Sequence, residues 1–431
     1  MVKISIIGSG YVGLVSGTCL ADIGNKVICV DNNKEKIELL KTGKVPIYEP
    51  GLDKLIKKNA ANKRLTFTTD LHDAVHKSDV IFIAVNTPSK ENGDVDMSYV
   101  ENVSREIATN MTEYKIIVSK STVPVETGKK IKDAVNLYCK KHIKFDVVSN
   151  PEFLREGSAV KDFMKPDRVV IGSESENAKK IMDKIYRQIK APILHTDIES
   201  AELIKHASNS FLALKISYIN AVAQFCEKVG ADVLQVAKGM GFDHRIGKDF
   251  LNAGVGFGGS CFPKDLSAFI SIAGKDGYDF KLLKCVKEIN YSQKVSFLEK
   301  IREALWTLND KTVSILGLSF KPETDDMRES PSIFLINELI KEGAKVKVYD
   351  PVAMEKAKQV LPESVIFCKD PYDAVKDTHA MILLTEWKQF KKIDFHKVKK
   401  LLITPIIIDG RNFYDKEMLE HMKFIYKGVG R

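Results

Sequence analysis

Apolar and polar positions along this 431-residue chain change their period several times. Lys3 to Ile7 is an apolar strand, Tyr11 to Ile23 has helical spacing, and Lys26 to Val30 is a second apolar strand that ends at Asp31. Strand-like runs recur at Val80–Val85, Ile116–Ser119 and Phe145–Ser149 between helical segments, the rhythm of a parallel, doubly wound sheet. From about Asp197 to Gly230 the pattern is a long helix without Gly or Pro, and helical spacing continues to about Leu308. A second α/β unit opens with the run Thr312–Leu318, passes through a helix over Ser332–Lys341 and reaches the strand Lys345–Tyr349 before Asp350-Pro351. Neither a short-period repeat nor a low-complexity tract interrupts this order.

Composition narrows the class. With 44% hydrophobic residues the chain can bury ordinary cores, and its length predicts two or three domains. Lys+Arg 66 against Asp+Glu 57 gives +9, spread through mixed-sign segments, which suits an anionic small molecule; no nucleic-acid motif accompanies it. The seven cysteines (Cys19, Cys29, Cys139, Cys226, Cys261, Cys285, Cys368) are scattered without CxxC or metal-ligand spacing, so we expect a reduced cytosol and no structural zinc. A strand begins within two residues of Met1, leaving no room for a signal peptide, and no apolar run reaches spanning length. These features predict a cytoplasmic protein with neither membrane nor nucleic-acid partner.

Two motifs carry chemistry. Gly8-Ser9-Gly10-Tyr11-Val12-Gly13 follows a strand, opens a helix and is followed by Asp31 at the end of the next strand, the full context of a dinucleotide cradle. Asp31 would accept hydrogen bonds from an adenosine ribose and repel a 2′-phosphate, favouring NAD over NADP, with Lys36 nearby softening that repulsion. The first α/β unit is therefore read as Rossmann-like, and the second, which resembles its βαβ in miniature without the glycine cluster, as Rossmann-like by that likeness, with boundaries at 1–196, 197–308 for the central helical region, and 309–431. The second motif is Gly256-Phe257-Gly258-Gly259-Ser260-Cys261-Phe262-Pro263-Lys264-Asp265, in which small residues precede a thiol and leave backbone N–H groups to face an anion. The alternative is a tight turn beside a solvated Lys264/Asp265 pair; the other six cysteines read as small buried hydrophobes. Lys205 and Asn209 stand at i and i+4 on one face of the long helix, either as oxyanion stabilisers or as an exposed polar stripe. Ser121-Thr122-Val123-Pro124 and Asn150-Pro151-Glu152-Phe153-Leu154-Arg155-Glu156-Gly157 follow strands, so both loops should face the cofactor.

Taken together, GxGYVG, VNTP at Val85–Pro88, STVP, NPEFLREGSA, the Lys205/Asn209 pair, GFGGSCFPKD, Phe320-Lys321 with Asp326-Met327-Arg328-Glu329-Ser330, and Asp409-Gly410-Arg411 resemble the nucleotide-sugar dehydrogenases of the UDP-glucose/GDP-mannose family. The resemblance implies NAD-dependent four-electron oxidation of UDP-glucose to UDP-glucuronate through a Cys261 thiohemiacetal and thioester. It implies Lys205 and Asn209 as oxyanion partners, Asp265 as support for the lysine and an ordered water, and Thr122 with Glu156 in water-mediated proton transfer. Cofactor contacts would come from Gly8, Gly10, Tyr11, Val12, Gly13, Asp31, Lys36, Thr87, Ser121, Thr122, Glu156, Lys264 and Arg328. Substrate contacts would come from Glu152, Phe153, Leu154, Arg155, Glu156, Lys205, Asn209, Phe250, Leu251, Asn252, Ala253, Gly254, Gly258, Phe320, Lys321 and Arg411. Arg245 would reach substrate across a subunit boundary in a homodimer or higher even oligomer built on the long helix. The base among Asp265, Glu156 and Lys205 stays open. Rival readings are a GDP-mannose or UDP-N-acetylmannosamine enzyme of the same family, a hydroxyacid dehydrogenase, and a silent NAD-binding protein.

Overall fold

Residues that alternate between two apolar surfaces make strands that must be covered on both faces, and both sheets of this chain are built that way. The computed structural model describes residues 1–88, 90, 93–139 and 143–431. They form two compact units, the first of Met1–Ser208 with Ser267–Tyr278, the second of Asn209–Leu266 with Asp279–Arg431. One helix, Ile198–Val229, runs through the division.

In the first unit the strands are β1 (Lys3–Ile7), β2 (Lys26–Val30), β3 (Leu65–Thr68), β4 (Val80–Ile83), β5 (Lys115–Ser119), β6 (Phe145–Ser149), β7 (Val169–Gly172) and β8 (Ile193–Thr196). They lie in the order β3-β2-β1-β4-β5-β6-β7-β8, parallel except where β7 meets β6 antiparallel through Ser149 and Gly172. Ile4, Ile6, Val27, Phe82 and Val118 pack on one face with Leu14 and Val15 of the Tyr11–Asp22 helix, while Ile7, Ile81, Ile83 and Ile117 pack on the other with Ile107 and Ile131.

The second unit repeats the plan with β9 (Thr312–Leu316), β10 (Lys345–Tyr349), β11 (Ile366–Phe367), β12 (Ala380–Leu383), β13 (Ile406–Asp409) and β14 (Ile425–Lys427), in the order β11-β10-β9-β12-β13-β14. Renumbered within its unit, this is the 3-2-1-4-5-6 order with which the first sheet also begins, so each sheet reverses direction between its first and fourth strands, where ligands bind in such folds. Ile219 and Ala223 of the long helix and Phe297, Leu298 and Ile301 of the Lys281–Leu305 helix cover one face of this second sheet.

Several boundaries moved from the expected ones. The strand expected over Val80–Val85 stops at Ile83, although the Ala84 N–H still donates to the Ile7 carbonyl at 2.8 Å. Lys115, expected outside its strand, begins β5 fully buried, its ammonium donating to the Ser78 carbonyl and pairing with Glu113. The run Thr312–Leu318 ends as a strand at Leu316, where Gly317 takes φ +87°. Among the described residues no helix is long and apolar enough to cross a membrane.

Candidate active site

In the first unit the cradle glycines divide the labour. A Cβ on Gly8, at φ +99°, would lie 2.6 Å from the Ala84 carbonyl, and one on Gly13 would overlap the Gly8 carbonyl, so both hold a tight turn against the helix. A Cβ on Gly10 would meet nothing closer than 3.6 Å, leaving the helix N-terminus open to a pyrophosphate. Asp31 accepts from the Ser9 and Asn33 N–H groups at 3.0 Å and from the Lys36 ammonium at 2.8 Å. Burial would raise its carboxyl, but the Lys36 and backbone hydrogen bonds together hold it below its ordinary value, so it stays anionic. These residues fit NAD: an open cradle, a helix N-terminus and a carboxylate at the ribose position.

The loops after β4, β5 and β6 are tied together. Thr87 donates to the Thr122 carbonyl at 3.0 Å and Ser121 to the Val85 carbonyl at 2.6 Å. Glu152 and Lys205, both buried, pair at 3.0 Å, and the second Glu152 oxygen accepts from the Leu154 N–H. Phe153 lies beneath the Arg168 guanidinium, 3.5 Å from its ring centre, with the Lys205 ammonium 5.5 Å away. Tyr11 donates to Glu49 and accepts from the Gly157 N–H at 3.1 Å; burial first, then Glu49, pushes its phenol far up. Glu156 lies close enough to Tyr11 to act on it electrostatically. Arg155, expected at the substrate, is mostly exposed and forks onto Asp162 at 2.6 and 2.9 Å.

The second unit holds the thiol. Cys261 is half-buried and immediately precedes the 14-residue helix Phe262–Lys275, the position where a helix favours negative charge. Asp265, almost wholly buried, donates its N–H to the Cys261 carbonyl at 2.8 Å, accepts from the Asn209 amide at 2.6 Å, and pairs with Lys264 at 3.2 Å. The polar-stripe reading of Asn209 and the solvated-pair reading of Asp265 therefore fall.

The glycines before Cys261 serve differently from expectation. Gly259 donates to the Arg328 carbonyl at 2.9 Å and Phe257 to the Asn290 side chain at 2.9 Å, so these N–H groups are engaged within the protein. A Cβ on Gly258 would lie 2.2 Å from the Glu329 carbonyl, and one on Gly259, at φ +85°, would strike the Phe320 ring. Close packing against the Phe320–Glu329 loop is by itself enough to require these two glycines.

Upstream, Phe250 takes φ +64°, Leu251 and Ala253 are buried and Asn252 is exposed. Arg411 spends its guanidinium on the carbonyls of Leu384, Gly256 and Phe320 at 2.7, 3.1 and 3.3 Å. Lys321 lies 5.5 Å from the Phe320 ring. Arg328 forks onto Asp326 and Arg245 onto Asp243, both with largely exposed side chains. Cys285 corrects the reading of the remaining cysteines as buried: it is exposed, because its helix turns Leu283, Val286 and Asn290 inward.

Sequence reading missed the supports of this loop. Asn290 brackets Phe257 by accepting from its N–H and donating to its carbonyl at 3.0 Å, Gln293 donates to the Gly254 carbonyl at 2.8 Å, and Asn220 accepts from the Gly254 N–H at 2.9 Å. Amides in line with the apolar positions of the helices were the available signal. In the first unit Lys120, Glu202 and His206 were also missed; His206 bonds the Val123 carbonyl at 2.8 Å.

Comparison with known proteins covers nearly the whole chain. Residues 2–190 match the NAD binding domain, 199–292 the central domain and 314–416 the UDP binding domain of the UDP-glucose/GDP-mannose dehydrogenase family. The chain is 50% identical over 431 residues to the UDP-glucose 6-dehydrogenase TuaD of Bacillus subtilis, spanning 100% of this chain and 94% of that protein. A UDP-glucose dehydrogenase from Pyrobaculum islandicum superposes with a TM-score of 0.93 at 39% identity, covering 100% and 98% of the two chains. A UDP-D-ManNAc dehydrogenase from Pyrococcus horikoshii does so at 0.88 and 27%, covering 99% of each.

Proposed function

Because this chain belongs to the UDP-glucose/GDP-mannose dehydrogenase family, we propose that it oxidises UDP-glucose to UDP-glucuronate at the expense of two NAD⁺. Higher identity to UDP-glucose enzymes than to the UDP-D-ManNAc enzyme supports the choice of sugar. The matched spans support dividing the chain by role at about residues 196 and 308. The observation that carries the chemistry is the Asn209–Asp265–Lys264 set bonded to the backbone of Cys261.

Bound NAD⁺ supplies the hydride acceptor, twice per sugar. The chain's own residues do the rest. As C6 loses its hydroxyl proton and a hydride, Lys205 and Asn209 stabilise the oxygen that carries developing charge. The Cys261 thiolate adds to the resulting aldehyde carbon, forming a C–S bond while the carbonyl oxygen takes up a proton. Loss of that proton and a second hydride leaves a thioester; water then adds, the C–S bond breaks, and the thiol returns with release of carboxylate. Asp265 orients Asn209 and a water, and Thr122 with Glu156 relays protons through water. Glu152, Phe153 and Leu154 line the sugar, and the Phe250–Gly254 loop with Gly258, Lys321 and Arg411 holds the nucleotide; Arg411 does so by shaping the loop through the Gly256 and Phe320 carbonyls.

An even oligomer is part of this reading. Leu203, Phe211, Tyr218 and Phe225 are all exposed on the long helix at intervals of seven or eight, an apolar seam that a second copy would cover, and exposed Arg245 is available to a neighbour.

The test is stoichiometry with each of UDP-glucose, UDP-N-acetylmannosamine and GDP-mannose. Two NADH per UDP-glucose, with overall turnover of Cys261→Ser reduced by roughly three orders of magnitude or more, is the expected result. One NADH per sugar, or a normally active Cys261→Ala enzyme, overturns the thioester route.

A further inference from the structure

We propose that Lys120 is a positioning residue for the Glu152–Lys205 ion pair, fixing the turn that presents Glu152 and adding a second buried positive charge beside it; this rests on the reading of Lys205 as a partner of the substrate oxygen. Lys120 directly follows β5 and is 5% exposed. Its ammonium donates to the Asn150 side-chain oxygen at 3.1 Å and the Pro151 carbonyl at 3.4 Å, both neutral acceptors. Asn150 cannot swing away, because the same oxygen accepts from the Tyr186 hydroxyl at 2.6 Å and its amide donates to the Val170 carbonyl at 2.7 Å. The Pro151 carbonyl belongs to the peptide that enters Glu152, whose carboxylate meets Lys205 at 3.0 Å. The chain of contacts thus runs from the end of β5, across the end of β6, to the long helix.

A lysine serving only to close the ends of two strands would not need its charge, and burying an ammonium among neutral partners is costly. Here the charge has a use. Glu152 alone would neutralise Lys205; with Lys120 present the group carries two cations against one carboxylate, so it favours negative charge developing on a substrate oxygen. The groups acting on the Lys120 ammonium are consistent with this. Burial pushes it down to about 8, the Glu152 carboxylate opposes that fall, and Lys205 adds to it. Tyr186, the remaining titratable group on Asn150, is a phenol raised by burial and stays neutral throughout.

Two variants separate placement from charge. Lys120→Gln keeps a hydrogen-bond donor and removes the charge; Lys120→Met removes both. For Lys120→Gln, we expect kcat to fall about tenfold with little change in KM for NAD⁺, and the pH profile of kcat/KM for UDP-glucose to move upward by roughly half a unit or more, since losing a buried cation makes it harder to build negative charge on the neighbouring substrate oxygen. Lys120→Met should show the same displacement and a larger fall in kcat. A Lys120→Gln profile that superposes on the parent overturns the proposal, as does failure of both variants to fold, which would assign Lys120 to the strand scaffold. A Lys205→Met enzyme with normal turnover sinks the underlying reading of Lys205 instead, so the two failures are distinguishable.

Discussion

Glu202 shows how a single buried carboxyl ties the long helix to the β5 loop. It is 2% exposed, accepts from the Gly128 N–H at 2.8 Å, and interacts with the backbone N–H groups of Glu126 and Thr127 where the Thr127–Tyr138 helix begins. Burial raises its carboxyl from 4.5 to about 8 against those donors, and its second oxygen has no hydrogen-bond partner among the described residues. Between about pH 4.5 and 8 the unfolded chain therefore releases a proton that the folded protein keeps, so stability falls as pH rises through this window and levels off above it. Glu202→Gln retains the acceptor and removes the titration. Its melting temperature should exceed the parent's by a margin that grows from pH 5.5 to pH 9, with a gain of about 1–3 kcal/mol at the upper end. A margin independent of pH would mean that Glu202 does not titrate there.

At the scale of elements, the loop Phe250–Gly259 is held by side chains from two helices and by the backbone carbonyls of Gly410, just after β13, and Arg328. Its glycines are legible in the sequence; what they are for is not. Gly258 and Gly259 are small because Glu329 and Phe320, some seventy and sixty residues later, press against them. Asn290 matters for the same reason, since it satisfies both polar groups of the Phe257 peptide unit inside the fold. Asn290→Ala leaves those buried groups unpaired, a cost of about 1–3 kcal/mol each. The cysteine loop should loosen, with kcat falling at least about tenfold and iodoacetamide alkylation of Cys261 changing rate, while NAD⁺ affinity holds because the cradle lies in the other unit. Unchanged alkylation and kcat would show that the loop keeps its shape without Asn290.

For the whole molecule, two sheets of the same order repeat one plan with different turns. After β1 comes a glycine cluster open at Gly10; after β9 comes Gly317, followed by Leu318 and Ser319, whose N–H groups are taken by Asp350 at 2.7 and 3.2 Å, as Asp31 takes that of Ser9. The exposed seam on the long helix has its own consequence. Phe211 and Phe225 are 60% and 63% exposed, more than a chain with solvent on that face would favour. On the proposed assembly, replacing both by Asp should leave a species of 48.3 kDa with most activity lost, read by light scattering and turnover together. A parent protein that is already an active monomer contradicts the assembly.

Periodicity, the spacing of glycines and the acidic residue after β2 were enough to read the cradle, both α/β units and the long helix, because each depends on contacts within a few turns of chain. The short strands β3, β7, β8 and β11 to β14 carried too few residues to declare a period, and their pairing comes from neighbours already in the sheet. Lys205, Asn209, Cys261 and Asp265 could be nominated from local pattern, yet only folding showed that Asp265 holds Asn209 and that Glu152 holds Lys205, pairings 56 and 53 positions apart in the chain. Lys115, Lys120 and Glu202 lay beyond sequence reading altogether. A charged residue is by default a surface residue, and what reverses that default is a set of partners that exists only once distant strands and helices have met.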